Sequence, residues 1–324
     1  MPAEQLKSLL NNVGLTGLTE DCAVKYLGND QVLVSNVDIF TPIHDDPVIQ
    51  GEITACNATN DVFALNVKDI VTYLSFLGIP FDQPQQITEG LLEGQMKFLK
   101  RLGVDIDGGH TTYTSWPLMG GIAIGIDNKE NLIPKQIKRS VNVGDILLTK
   151  PLGLQAAMAV YRVLKEMPEM VADFDPDMLK KAIDLGVEMM TTSNYYVVKT
   201  IHEENLKSTI ASMTDVTGFG VKVHASEMLE ESNMDIMIDK LPIIVGTDKT
   251  SEIFGYDLLG GCAAETAGPM LISIDTNIID SEEVQRLLKK NNVNSWKIGT
   301  FGPGSGQVKL KKDLDVIPIE DYNR

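Results

Sequence analysis

Four acids stand at places where chain segments end. Asp21 lies at the head of a predicted strand, Asp38 at the tail of the next, Asp61 late in a predicted helix, and Asp215 where a strand meets a helix. Ends of elements are where binding groups gather. If these carboxylates converged without a counterion, each pair about 4 Å apart would repel by roughly 4 kcal/mol at an effective dielectric of 20. A hard divalent cation removes that penalty, and magnesium favours a few carboxylates together with waters and phosphate oxygens, so an acid-rich cleft suits a magnesium nucleotide. Each acid by itself reads equally as a turn or cap residue.

The run Thr214-Asp215-Val216-Thr217-Gly218-Phe219-Gly220 sets two glycines and two hydroxyls around an acid. It suits close approach of a ligand, or else a plain strand-to-helix connection with Thr217 as N-cap. Gly108-Gly109-His110-Thr111 reads as a turn whose bare amides could cradle phosphate oxygens. A Walker A sequence and a GxGxxG fingerprint are both missing from the sequence. The histidines His44, His110, His202 and His224 show no metal-ligand spacing, and Cys22, Cys56 and Cys262 form no CxxC pair. The sequence holds neither a zinc motif nor a disulfide framework, and no nucleophile elbow.

The elements that must position these acids follow from periodicity. Cys22 to Leu27 and Gln31 to Asp38 alternate as strands about an Asn29-Asp30 turn and predict a hairpin. Val48 to Leu65 has helical spacing, Ile70 to Leu77 is a strand stopped by Pro80, Ile87 to Leu102 is a helix, and Gly120 to Ile126 is a strand. A polar stretch from Lys135 to Val143 reads as a domain boundary. Beyond it come a strand at Asp145 to Thr149, helices at Leu154 to Leu164 and Pro176 to Met190, and a strand at Thr209 to Met213. A turn and helix at Thr214 to Glu230 follow, then strands near Ile236 to Ile238 and Pro269 to Ile274. The fold class is α+β, in two domains, as 324 residues with 43% hydrophobic content lead one to expect.

Against 45 Asp and Glu stand 28 Lys and Arg, a net charge of -17 that repels nucleic acid and anionic membrane surfaces. With no long apolar stretch and no basic, apolar leader, the expected location is the cytoplasm.

Taken together the segments resemble selenophosphate synthetases, a family of the aminoimidazole-ribotide-synthase-like type, from about Glu20 onward. The resemblance rests on Asn36-Val37-Asp38-Ile39-Phe40-Thr41-Pro42-Ile43, on Ala55-Cys56-Asn57-Ala58-Thr59-Asn60-Asp61, on Asp107 to Thr111, on Leu148-Thr149-Lys150-Pro151-Leu152-Gly153, and on Met213 to Gly220. Ala264-Glu265-Thr266-Ala267-Gly268-Pro269 is a looser match. The resemblance implies a Mg2+- and ATP-dependent phosphotransferase of two α/β domains. Residues 1–139 would bind ATP and Mg2+ and dimerise through their strands, and residues 140–324 would contribute Asp215. It further implies that Asp21, Asp61 and Asp215 hold the metal, that Asp38, Asn57 and Asp61 line the ATP site, and that Gly108, Gly109, His110 and Thr111 touch ATP across a homodimer interface. Selenide is the implied acceptor.

The match departs before Asp21, where the family carries a catalytic Cys or selenocysteine followed by an essential Lys. Residues 1–20 hold Lys7 and no cysteine, and read as an amphipathic helix with Gly14 and Gly17 behind it. Cys22 and Cys56 are the remaining thiol candidates, with small buried apolar residues as the plainer reading. Three functions stay open: a selenophosphate synthetase, a paralogue acting on another small nucleophile, or a nucleotide-binding regulator.

Overall fold

The computed structural model describes residues 3–15, 20–230 and 232–322, so Gly17 lies outside the described residues. After the helix α1 (Ala3–Asn12), the strands β1 (Ala23–Gly28) and β2 (Gln31–Phe40) form the expected hairpin. Its turn residues Asn29 and Asp30 have φ of 50° and 62°, a left-handed pair that Asn and Asp tolerate better than most residues. Helix α2 (Pro47–Ala64) starts where the Asp46 side chain accepts from the amides of Val48 and Ile49, with Pro47 in the first turn. Then come β3 (Ile70–Ile79), α3 (Gln85–Lys100), β4 (Ile106–Tyr113) and β5 (Leu118–Asn128). The first sheet has the order β1-β2-β5-β3-β4, in which β3 and β4 are parallel, joined by the α3 crossover.

The Gly108–His110 turn expected from the sequence is instead part of β4, an exposed edge strand. Gly109 has φ of 150°, and a Cβ there would meet the Ser75 carbonyl oxygen at 2.0 Å. The two glycines thus let the edge strand press against β3 rather than reverse the chain.

The second sheet runs β11-β8-β10-β6-β9-β7. Its strands are β6 (Gly144–Leu148), β7 (Ile210–Asp215), β8 (Met234–Ile244), β9 (Met270–Asp275), β10 (Trp296–Pro303) and β11 (Val308–Ile319). Its helices are α4 (Leu154–Glu166), α5 (Pro176–Thr191), α6 (Tyr195–Glu203), α7 (Val221–Met228), α8 (Thr247–Phe254) and α9 (Ser281–Lys290). Two helix-flanked sheets of mixed strands confirm the α+β class.

Helix α2 joins the two halves. It is buried over most of its length, and residues from both halves share one apolar cluster, including Ile53, Ala58 and Tyr73 on one side and Leu154, Leu185 and Met189 on the other. It lies tight on α3, where a Cβ on Gly94 would meet the Val48 carbonyl oxygen at 2.0 Å.

Residues 135–143 are not a loose linker. The amides of Ile137 and Lys138 donate to the carbonyls of Met228 and Ala211, the amide of Met213 donates to the Pro134 carbonyl, and Lys135 is buried. This polar run is drawn inward because its partners are already there, a tertiary effect without local periodicity. Among the described residues no helix is long and apolar enough to cross a membrane.

Candidate metal and nucleotide site

Alternation along β2 decides where Asp38 points. Val32 and Val34 are fully buried under α2, so Asn36 and Asp38, in the same phase, face that helix as well. Asn57 and Asp61 lie one turn apart on α2 and meet them. The Asn57 amide donates to Asp38 Oδ2 at 3.0 Å, and the Asn36 amide bridges Asp38 Oδ2 and Asp61 Oδ2. Asp21 arrives from the segment before β1, and Asp215 is the last residue of β7 in the other sheet.

Asp21, Asp61 and Asp215 thereby bring one carboxylate oxygen each within 4.8 Å of one another. At that separation each charged pair repels by about 3 kcal/mol at an effective dielectric near 20. Burial pushes the Asp61 carboxyl well above the usual range, with the charges of Asp215, Asp38 and Asp21 adding to it. Burial and then the Asp21 charge raise Asp215 to about 6, and burial raises Asp38. Both carboxylate oxygens of Asp215 are buried and accept a hydrogen bond from no donor among the described residues. Orphaned buried acceptors beside other carboxylates fit a divalent cation, whose oxygen ligands must be free to point inward.

Asp21 differs, since Lys135 Nζ donates to its Oδ1 at 2.6 Å and the Thr214 hydroxyl to its Oδ2 at 2.8 Å. Lys135 also pairs with Glu227 at 2.6 Å. Glu227 in turn lies 3.3 Å from His224 Nδ1, and His224 Nε2 accepts from the Thr217 amide. Burial alone would raise Glu227, but His224 and Lys135 outweigh it and hold the carboxylate down at about 2.

The Thr214–Gly220 run is a strand-to-helix connection, but its N-cap is Gly220 rather than Thr217. The loop before β9 closes the other side. The Ala267 amide donates to Asn57 Oδ1 at 2.7 Å, and its carbonyl accepts from Lys150 Nζ at 2.7 Å. These two bonds hold a non-glycine residue at φ of 49°. Beside this loop, Phe40, Ile43, Met158, Arg162 and Thr266 line a cavity of about 620 Å3.

Both thiol candidates are poorly suited to nucleophilic work. Cys56 is fully buried, with Sγ 3.4 Å from the Thr192 carbonyl oxygen. Cys22 is buried, and desolvation followed by the surrounding aspartates pushes its thiol pKa well up, the opposite of activation. Gly108 to Thr111 do not join the acids of their own chain. Asp38 pairs with Gly121, Gly121 with Ser75 and Ser75 with Gly109, so Gly109 lies three strands away, about 14 Å by strand spacing.

Sequence reasoning missed Lys135 and Glu227, and it named Asn36 and Thr214 only as members of motifs, without a role at the site. Asn36 was accessible through the period of two along β2. Lys135 was not, because nothing local distinguishes a linker lysine from one that turns inward.

The chain matches the AIR synthase related protein models, the N-terminal domain over residues 19–126 and the C-terminal domain over 143–311. It is 38% identical to the selenide, water dikinase of Methanococcus maripaludis, covering 98% of this chain and 97% of that one. It is 39% identical to the selenide, water dikinase of Methanocaldococcus jannaschii, covering 96% and 88%. Among solved structures it is similar to AaThiL complexed with AMPPCP and TMP, at a TM-score of 0.73 and 14% identity over 100% of this chain and 98% of that one. It is also similar to hydrogenase maturation protein HypE in complex with ATP, at 0.67 and 16% over 89% and 83%. Identities this low speak to fold alone. Two domain models placed in order and near-full-length identity close to 40% put the chain in the selenide, water dikinase family, kinase-type enzymes built on the AIR synthase related fold.

Proposed function

We propose that the chain uses Mg2+ and ATP to make selenophosphate from selenide and water, with AMP and phosphate as the other products. The observation that carries this reading is the convergence of Asp21, Asp61 and Asp215 from three separate segments, with the Asp215 oxygens left without an amide, hydroxyl or cationic donor among the described residues. In this reading those three acids hold magnesium, which when bound supplies charge neutralisation for the phosphate oxygens. Asp38 and Asn57 line the nucleotide site, with the Asn57 amide fixing the Asp38 carboxylate and the Ala267 amide fixing Asn57. Positioning and charge neutralisation are the main demands of phosphoryl transfer, and a rigid acid cluster on buried elements meets them.

The same reading assigns residues 1–139 to ATP binding and dimerisation and residues 140–324 to the domain that supplies Asp215. A homodimer is supported by the outer face of the first sheet. There Val37, Ile122 and Leu74 lie in one row across three strands, and Ile39 and Phe76 flank Gly120 in the next. Val37 and Ile39 are exposed, and an apolar sheet face without a covering layer favours a second copy. Gly108 to Thr111, too far from their own acids, would then serve the nucleotide of the partner copy.

Titration calorimetry with Mg-ATP tests the site: Asp61→Ala and Asp215→Ala should each abolish metal-dependent binding with the fold intact, and unchanged affinity in both removes the assignment. Phosphorus NMR of the protein with ATP, Mg2+ and selenide tests the chemistry. A selenophosphate resonance is expected. ATP consumption that ignores selenide would assign a different acceptor, and no turnover would assign a regulator.

A further inference from the structure

The acid cluster contains one lysine that the site reading does not use. Lys135 is 9% exposed, comes from the segment between the two domains, and bridges Asp21 Oδ1 and Glu227, each at 2.6 Å. Asp61 and Asp215 have no comparable cationic partner among the described residues.

We propose that Lys135 is a positioning residue that stands in for the metal on Asp21 when the cation is absent and gives way when it arrives, with Glu227 as its second seat. The proposal rests on the metal reading above. Three observations carry it. First, the ammonium lies on the one metal-site acid whose oxygens both have donors, Lys135 on Oδ1 and Thr214 on Oδ2, while Asp215 has none. A cation that recruits Asp21 therefore competes with Lys135, whereas one that binds Asp215 displaces no cationic side chain. Second, the ammonium needs no long movement to leave, because Glu227 already pairs with it and stands on α7 rather than in the cluster. Third, the Lys135 main chain is pinned, its amide donating to Glu20 Oε2 at 3.1 Å, so only the side chain is free to shift.

Two opposite effects on metal affinity follow from this geometry. Removing the ammonium frees Asp21 for the metal and removes a positive charge beside it. Removing the second seat confines the ammonium to Asp21.

Mn2+ binding to the full-length protein without nucleotide, followed by electron paramagnetic resonance, reads these effects directly. Lys135→Met should tighten Mn2+ binding by about tenfold, the lower end of what neighbours of metal ligands change. Its melting temperature in EDTA should fall below that of the parent protein and recover when Mn2+ is saturating. Glu227→Gln should weaken Mn2+ binding several-fold, and Lys135→Arg, which keeps the charge, should stay near the parent. Unchanged or weaker Mn2+ binding in Lys135→Met overturns the proposal, as does unchanged or tighter binding in Glu227→Gln, which serves if Lys135→Met fails to fold. Asp215→Asn is the control: if it leaves Mn2+ binding intact in the parent background, the metal reading has failed rather than the role of Lys135.

Discussion

Two buried charged constellations lie within one loop of each other and are built on opposite terms. Around Lys150 and Glu265 every charge has its complement. Lys150 Nζ donates to the carbonyls of Met189, Thr192 and Ala267, and the Glu265 oxygens accept from the amides of Gly153 and Leu154 at the start of α4. Around Asp21, Asp38, Asp61 and Asp215, acids outnumber bases, and one carboxylate has no amide, hydroxyl or cationic donor among the described residues. Burial raises acids in both, Glu265 to about 8 and Asp215 to about 6. The difference lies in satisfaction, not in depth: the first constellation is complete as folded, and the second is complete only with a ligand.

Substitutions should separate the two. The largest stability loss belongs to Lys150→Met, which removes a buried ammonium shared by three carbonyls, leaving that of Met189 to the Thr192 amide and that of Thr192 to the Cys56 thiol, and should cost about 3–5 kcal/mol in urea unfolding, with no gain from added metal. Asp215→Asn should act with the opposite sign. Without metal it should stabilise the protein at neutral pH by about 1–3 kcal/mol, because a shift from 3.8 to about 6 at roughly 1.4 kcal/mol per unit is the cost of ionising Asp215 where it stands. The same variant should lose Mg-ATP binding by calorimetry.

The pH dependence follows from the same shift. Between pH 4 and 6 the folded protein holds the Asp215 proton longer than the unfolded chain does, so metal-free stability should fall as pH rises through about 6. Asp61 and Asp38, also raised, add in the same direction, while Glu227, lowered from 4.5 to about 2, acts with the opposite sign and makes nearly all of its change below pH 4.5. Glu265, raised from 4.5 to about 8, adds a decline of its own that metal does not touch, so the test is the difference between melting curves in EDTA and in saturating Mg2+, which should grow by about 2 kcal/mol between pH 4 and 6 as the metal removes the part due to the acid cluster. Parallel curves with and without Mg2+ would mean that the acids are screened and the contrast is lost. The smallest effect is expected of Glu265→Ala, which removes the cap of α4 for about 1–2 kcal/mol and leaves Mg2+ affinity unchanged.

Much of this was legible in the sequence, and the pattern of what was not is physical. The β1-β2 hairpin, α2, and the places of Asp38 and Asp61 followed from alternation, helical spacing and turn residues, signals written within a dozen positions, whereas Asn57 came from the family resemblance. The gathering of Asp21 with Asp215, whose neighbour Thr214 bonds to Asp21 from 193 residues away, came from the family resemblance and not from periodicity. The Gly108–His110 segment was misread because glycines mark both turns and close strand contacts, and only the neighbour, here Ser75, distinguishes them. Strands β10 and β11 and helices α6, α8 and α9 lay in stretches too polar or too short to assign. Lys135 looked like a linker residue because its partners come from both halves of the chain.

That stitched junction has a practical corollary. Genes for two-part enzymes are often dissected between domains to produce each half alone, and here a cut near residue 139 would be the wrong one. Separating the halves would bare the Ile133 side chain, strand the Lys135 ammonium away from Glu227, and open amides that now donate across the joint. Fragments made that way should clump when expressed singly and behave only when co-produced.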